Sequence, residues 1–215
     1  MMYIISGKDT NNYKSLMDQA FELRHKVFID ELRWDIAVES KNIEMDQFDT
    51  DDAIHHLSVR DGRVVGYQRM LPTDKPHLLA DIFPQLCMVD FPRGPDIYEL
   101  TRYCVDRSHR QSRREVGSVG SELMVGFIEW GLASGIRKVI IEFETIWVLR
   151  ALQLGFFVQP LGLETQIGNQ KIVASLVNFD EATLKSVRRY RGIDEPVVQF
   201  LGSLAETGGF HEAAL

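Results

Sequence analysis

Ile54-His55-His56-Leu57-Ser58-Val59-Arg60-Asp61-Gly62-Arg63-Val64-Val65-Gly66-Tyr67-Gln68-Arg69-Met70-Leu71 reads as two runs of β-formers joined by Asp61-Gly62. Asp-Gly supplies the positive φ angles of a two-residue turn, so residues 54–60 and 63–71 are predicted to pair as an antiparallel hairpin. Alternation along the second run places Val65, Tyr67, Arg69 and Leu71 on one face, so a guanidinium sits among three large apolar side chains.

Upstream of the hairpin, the pattern gives a short strand at residues 3–6, a helix over 13–32 with Thr10 and Asn11 as N-caps, and an irregular acidic stretch over 33–52. Downstream it gives a short helix near 77–83, a strand over 97–106, a basic loop over 107–114 and a helix over 117–134 stopped by Gly135. A strand (138–143), a helix (145–154), strands near 156–159 and 171–178 and a basic helix to about residue 190 complete the pattern, and residues 205–215 read as a loosely held tail. Antiparallel strands first and alternating strands and helices later describe an α/β (α+β) fold. Its mixed, mostly antiparallel sheet is flanked by helices, similar to the GCN5-type N-acetyltransferase fold. No linker divides the chain, so residues 1–215 are expected to form a single domain.

Composition agrees. With 45% apolar residues, 12 of them Phe, 215 residues can bury roughly 70% of the surface of the unfolded chain. The formal charge of −7 argues against a nucleic-acid binder held by phosphate neutralisation. The two cysteines, Cys87 and Cys104, lie among apolar neighbours and read as reduced thiols. No run approaches the length of a membrane span, and the N-terminus lacks the pattern of an export signal, which leads to the expectation of a cytoplasmic protein.

Charges at apolar positions carry the functional signal. In the first helix the stripe Tyr13, Leu16, Met17, Ala20, Phe21, Val27 and Phe28 is interrupted by Arg24. An arginine there must meet a carboxylate or reach out to solvent. In the third strand Glu99 alternates with Ile97, Thr101, Tyr103 and Val105, whereas Arg102 falls on the other face, so a bulge is required if both serve one site. Asp46-Gln47-Phe48-Asp49 places two carboxylates around an aromatic, shortly after Trp34. Alone this would be a solvated acidic loop, but with three arginines and a glutamate at core positions it points to an enclosed polar ligand. The histidines, His55-His56 included, show no metal-ligand spacing.

Five stretches together resemble the acyl-homoserine-lactone synthases, the autoinducer synthases of bacterial quorum sensing. They are Leu23-Arg24-His25-Lys26-Val27-Phe28, Leu32-Arg33-Trp34, Glu44-Met45-Asp46-Gln47-Phe48-Asp49, Gly66-Tyr67-Gln68-Arg69-Met70-Leu71-Pro72-Thr73 and Tyr98-Glu99-Leu100-Thr101-Arg102-Tyr103. The resemblance implies that the amine of S-adenosylmethionine attacks an acyl thioester and that its carboxylate then displaces methylthioadenosine, closing the lactone. No cofactor or metal is implied beyond the two substrates, and the donor is acyl-coenzyme A or acyl carrier protein. Residues 1–106 would bind S-adenosylmethionine and residues 107–200 the acyl donor.

On this reading Arg24, Arg69 and Arg102 divide between the substrate carboxylate and Asp46 or Asp49. Phe28 and Trp34 offer π-faces to the sulfonium or adenine, and Glu99 is the expected base, with Arg24 and Arg102 assisting catalysis. The loop holding Arg110, Arg113, Arg114 and Gly117 loosely resembles the acetyltransferase pyrophosphate loop, where helix N-terminal amides meet phosphate. Lys185, Arg188, Arg189 and Arg191 form a second basic cluster, which also suits a solvated helix face. Val139 to Phe143, Trp147, Leu152, Phe156 and Phe157 would line the acyl pocket. Ile141 stands where members accepting 3-oxo chains often carry Thr, which disfavours such chains and, with the bulky lining, suggests a short, branched or aromatic acyl group. Glu144-Thr145 replaces a Ser-Arg pair common in the family, which favours acyl-coenzyme A over carrier protein. A different N-acyltransferase of the same fold, or a binding module without turnover, are the alternative readings.

Overall fold

The computed structural model describes residues 1–36, 41–111 and 117–206. After β1 (Met2–Ser6), a 3₁₀ turn leads into α1 (Lys14–Arg24), and the hairpin follows as β2 (Ile54–Arg60) and β3 (Arg63–Pro72). Asp61 and Gly62 take φ 50° and 73°, the paired left-handed angles of the expected turn. Then come α2 (Leu78–Asp81), β4 (Ile97–Val105), α3 (Ser118–Ala133), β5 (Lys138–Glu144), α4 (Thr145–Gln153) and β6 (Phe157–Pro160). The described chain closes with β7 (Thr165–Ile167), β8 (Gln170–Asn178), α5 (Glu181–Arg191), β9 (Val198–Phe200) and α6 (Ser203–Glu206).

All nine strands form one sheet in the order β6-β8-β5-β4-β3-β2-β1-β9, with β7 added beside β8. Only β1/β9 and β4/β5 pair in parallel, so the sheet is mixed and mostly antiparallel, as expected. The largest core lies between the sheet and α3 and α5, where Met70, Val119, Leu123, Ile128, Trp130, Val139 and Val187 are sealed from water. Gly66 lets α3 close on β3, since a Cβ there would stand 2.5 Å from Val119 Cγ1. A second core lies between α1 and β1, β2 and β3 and holds Met17, Phe21, Phe28, Leu57 and Tyr67. Truncating one of these side chains to Ala would cost about 2–5 kcal/mol.

Two expectations change here. The helix expected over 13–32 divides into the 3₁₀ turn Gly7–Tyr13, α1, and a π-helical segment His25–Glu31, in which the Leu32 N–H reaches back five residues to Val27 O at 3.0 Å. Thr10 and Asn11 lie inside the 3₁₀ turn and cap nothing; Thr10 donates to Gly7 O instead. In the hairpin, Ser58 faces Gly66 but Val59 faces Val64, so Val65 is an unpaired bulge residue. Val65 therefore joins Met70 in the α3-side core, on the opposite face from Tyr67 and Leu71.

The short strands β7 and β9 were not foreseen, and the helix expected near 77–83 shrinks to α2. Of the expected tail only Ala205 and Glu206, the exposed end of α6, are described. Ser203 at the start of α6 donates through N–H and Oγ to Asp9 at 2.9 and 2.6 Å, and residues 207–215 lie outside the described residues.

β4 and β5 run side by side only from Ile97/Lys138 to Leu100/Ile141. Beyond that point β5 continues through Glu142, Phe143 and Glu144 paired to β8 alone. The register of β4 against β3 jumps from Thr101/Arg69 to Cys104/Tyr67, so Arg102 and Tyr103 together oppose Gln68. Arg102 has φ 54°, a left-handed angle rare for a side chain of its size. This is the bulge that a joint role for Glu99 and Arg102 requires, and it lies just past the point where β4 and β5 part, a split in the sheet.

Candidate active site

The split opens a cleft of about 1530 Å³. Its polar end is walled by Phe28, Trp34, Asp46, Thr101 and Arg102, and its apolar end by Met124, Phe127, Ile141, Phe143, Trp147 and Phe156. Local backbone geometry builds the aromatic wall. The π-helical segment turns Phe28 inward, Arg33 at φ 56° folds the chain back, and the Trp34 N–H then donates to Phe28 O at 2.9 Å. The two rings stack 4.8 Å apart, with the Arg102 guanidinium 5.7 Å from the Phe28 ring centre.

Beneath this wall lies a buried network of charges. Arg24 donates through Nε to Glu44 at 2.5 Å and through its fork to both oxygens of Asp49 at 2.7 and 2.9 Å. Arg69 forks onto Asp46 at 2.7 and 3.0 Å, meets Asp49 at 2.7 Å and donates through Nε to Thr101 Oγ1 at 3.2 Å. Arg102 closes the ring against Glu44 at 3.1 Å and Asp46 at 2.7 Å. Three guanidiniums thus face three carboxylates, and bidentate geometry compensates the cost of burying them. The acidic stretch is an inward-folded turn. Phe48 N–H donates to Asp46 and Asp46 N–H to Asp49, both at 2.8 Å, and the Phe48 ring is buried.

The fields follow. Burial opposes ionisation of Asp46 and Asp49, but the arginines outweigh it, Arg69 and Arg102 on Asp46 and Arg24 and Arg69 on Asp49, and hold both carboxyls below the usual range. His55, opposite Arg69 in the hairpin, shares a 2.7 Å hydrogen bond with the Tyr67 hydroxyl. Burial pushes its imidazole down to about 3, so it is neutral at physiological pH.

Glu99 differs. It has no exposed surface and accepts the N–H groups of Leu78 and Leu79, at the start of α2, at 2.7 and 2.6 Å. Burial dominates and pushes its carboxyl up to about 7 against the lowering influence of these amides and of Arg69. Such a group can hold or release a proton near neutral pH.

Of the residues singled out from sequence, Phe28, Trp34, Asp46, Arg102, Ile141, Phe143 and Trp147 border the cleft, whereas Arg24, Asp49, Arg69 and Glu99 lie sealed behind its wall. Arg110 does not border it. Its Nε donates to Val105 O and its Nη1 to Glu31, both at 2.6 Å, tying the end of β4 to the π-helical segment. Gly117 is the N-cap of α3 and also lies away from the cleft lining, while Arg113 and Arg114 lie outside the described residues. Sequence reasoning passed over Glu44, which bridges Arg24 and Arg102, and Glu142, on the cleft wall. No group of residues among those described is arranged to hold a metal ion.

Residues 8–187 match the family model described as autoinducer synthase. The chain belongs to the autoinducer synthase family. Isovaleryl-homoserine lactone synthase of Bradyrhizobium diazoefficiens is 33% identical over 200 residues, 93% of this chain and 89% of that protein. Among solved structures, the CoA-dependent acyl-homoserine lactone synthase BjaI, with SAM and isopentyl-CoA, superposes with a TM-score of 0.85 at 33% identity, covering 94% of this chain and 93% of that one. The CoA-dependent synthase MesI does so with a TM-score of 0.84 at 28% identity, covering 92% and 98%. An acyl-CoA N-acyltransferase from Pseudomonas aeruginosa, 15% identical with a TM-score of 0.56, shares the fold alone.

As an autoinducer synthase, the chain is an acyltransferase. Among the described residues no helix is long and apolar enough to cross a membrane.

Proposed function

We propose that this synthase acylates S-adenosylmethionine with a short, branched acyl group delivered as a coenzyme A thioester. One observation carries the reading: the β4/β5 split joins a chamber walled by Trp34, Phe28, Arg102 and Asp46 to one walled by Ile141, Phe143 and Trp147 within a single cleft. The first chamber suits a cationic sulfonium, an amine and a carboxylate; the second suits an acyl chain. The thioester carbonyl would then lie near the parting of the strands, with the amine beside it.

In this reading Arg102 meets the substrate carboxylate, Asp46 faces the amine, and Trp34 and Phe28 take the sulfonium and adenine. Arg24, Arg69 and Asp49 act from behind by fixing Asp46 and Arg102 in place. Glu99, near neutrality, receives the proton the amine must lose. Residues 1–106 supply most of the first chamber and residues 107–200 most of the second. Arg110, Arg113, Arg114 and Gly117 remain candidates for the phosphates of the donor. The cytoplasm is the proposed location, since the buried, free Cys104 suits a reducing compartment.

Ile141 and Phe143 line the apolar chamber beside the split, and the relative named for an isovaleryl product supports a short, branched chain. The test is a donor panel with S-adenosylmethionine, reading methylthioadenosine and acylated lactone. Isovaleryl-coenzyme A should give the highest kcat/KM, with 3-oxo, long linear and carrier-protein-bound donors at least tenfold lower. Best turnover with a long linear chain, or with acyl carrier protein, would reject the assignment.

A further inference from the structure

Glu99 is the expected base, yet it has no surface on the cleft where the amine must sit. The strand register shows what stands between them. Glu99 pairs with Ile140, and Glu142 follows two residues later on the same face of β5, one step past the last β4/β5 rung. Glu142 borders the cleft, and the two carboxyl groups act on each other electrostatically across neighbouring strands. No donor among the described residues reaches its buried Oε1. Two buried carboxyl groups on one face of neighbouring strands favour a state in which they hold one proton between them, because ionising both there is costly.

We propose that Glu142 is the cleft-facing half of a carboxyl dyad with Glu99, and that the proton of the attacking amine reaches Glu99 through it. The inference rests on the reading of Glu99 as the base. As nitrogen bonds to the thioester carbon, its proton passes to one oxygen of Glu142, and the proton already on the other oxygen passes to the Glu99 carboxylate. Glu142 ends neutral, as it began, and Glu99 ends protonated. When the tetrahedral intermediate collapses, the carbon–sulfur bond breaks and the departing thiolate takes a proton back from the dyad. The products are amide and free thiol, and both carboxyls return to their starting state.

The surroundings agree with this division. Glu99 accepts two backbone N–H groups and feels Arg69, all of which favour its ionised form; Glu142 has one backbone amide, its own, and no arginine, and is pushed up by burial and by Glu99 itself. The Cys87 thiol also feels the dyad, being pushed up by burial and by Glu142.

The test compares the wild type with Glu142→Gln, Glu142→Asp and Glu99→Gln. Infrared difference spectra of the free enzyme at neutral pH should contain the carbonyl stretch of a neutral carboxylic acid, lost in Glu142→Gln. Glu142→Gln should lower kcat for N-acylation by about 10²–10⁴-fold with the KM for S-adenosylmethionine within threefold, and Glu142→Asp should restore part of it. Glu99→Gln should show a loss of the same order. If Glu99→Gln is impaired while Glu142→Gln is within threefold of wild type, the relay is wrong and the base reading stands. If Glu99→Gln is itself near normal, both fall. Should Glu142→Gln fail to fold, absence of the neutral-acid band from the wild-type enzyme overturns the dyad by itself.

Discussion

At the scale of single residues, burial separates side chains that hold the site from those that present it. Arg24 has no exposed surface, and removing its charge takes from the buried Glu44 and Asp49 one of the two arginines that each meets. Arg24→Met should therefore destabilise the fold by about 3–5 kcal/mol in urea titration. Trp34 is 38% exposed and stacks on Phe28, so Trp34→Ala should leave stability within about 1 kcal/mol of wild type. Calorimetry should find S-adenosylmethionine binding to that variant weaker by about 0.5–2 kcal/mol. An Arg24→Met protein as stable as the wild type would mean that the network is not a buried one. Arg24 was legible because an apolar stripe with a single charged gap demands a partner. Glu44 was not, since nothing in an acidic stretch marks which carboxylate turns inward.

Elements explain what the pattern of residues concealed. The hairpin turn was readable from Asp61-Gly62, but the Val65 bulge was not, and that bulge sets His55 rather than Ile54 opposite Arg69. The first helix was expected unbroken because periodicity does not distinguish an α-helix from the π-helical segment that aims Phe28. The ion pair of Arg110 was equally out of sight, because its partner, Glu31, lies 79 residues away on that same segment. The β4 bulge, by contrast, followed from requiring Glu99 and Arg102 to share a site. It carries its own prediction. In an ordinary strand Gly is worse than Ala, but at φ 54° the order should invert, with Arg102→Gly more stable than Arg102→Ala by about 0.5–1 kcal/mol in thermal unfolding. Ala equal to or better than Gly would show that the bulge relaxes once the side chain is gone.

For the whole molecule, buried titratable groups of opposite sense shape stability against pH. Burial holds His55 and His56 near 3 from an ordinary value of 6.5, so their stabilising contribution is complete above 6.5 and is lost as pH falls below it. Asp46 and Asp49, held below 3.8 by their arginines against burial, add a loss in the same direction at lower pH. Glu99 acts in reverse. Raised from 4.5 to about 7, its contribution is complete below 4.5 and is lost as pH rises to about 7, with Glu142 acting in the same sense from 4.5 upward. Between 4.5 and 6.5 His55 and His56, joined by the half-buried His77, which burial shifts the same way, oppose two glutamates, and below 4.5 the glutamates no longer oppose the histidines and aspartates. The urea midpoint should rise only gently across that interval and fall steeply beneath it. Glu99→Gln removes one opposing contribution, so the rise toward neutral pH should steepen by up to about 1.4 kcal/mol per pH unit. A variant curve parallel to the wild type would show that Glu99 titrates alike in the folded and unfolded chains, and would withdraw the physical basis for its near-neutral proton affinity.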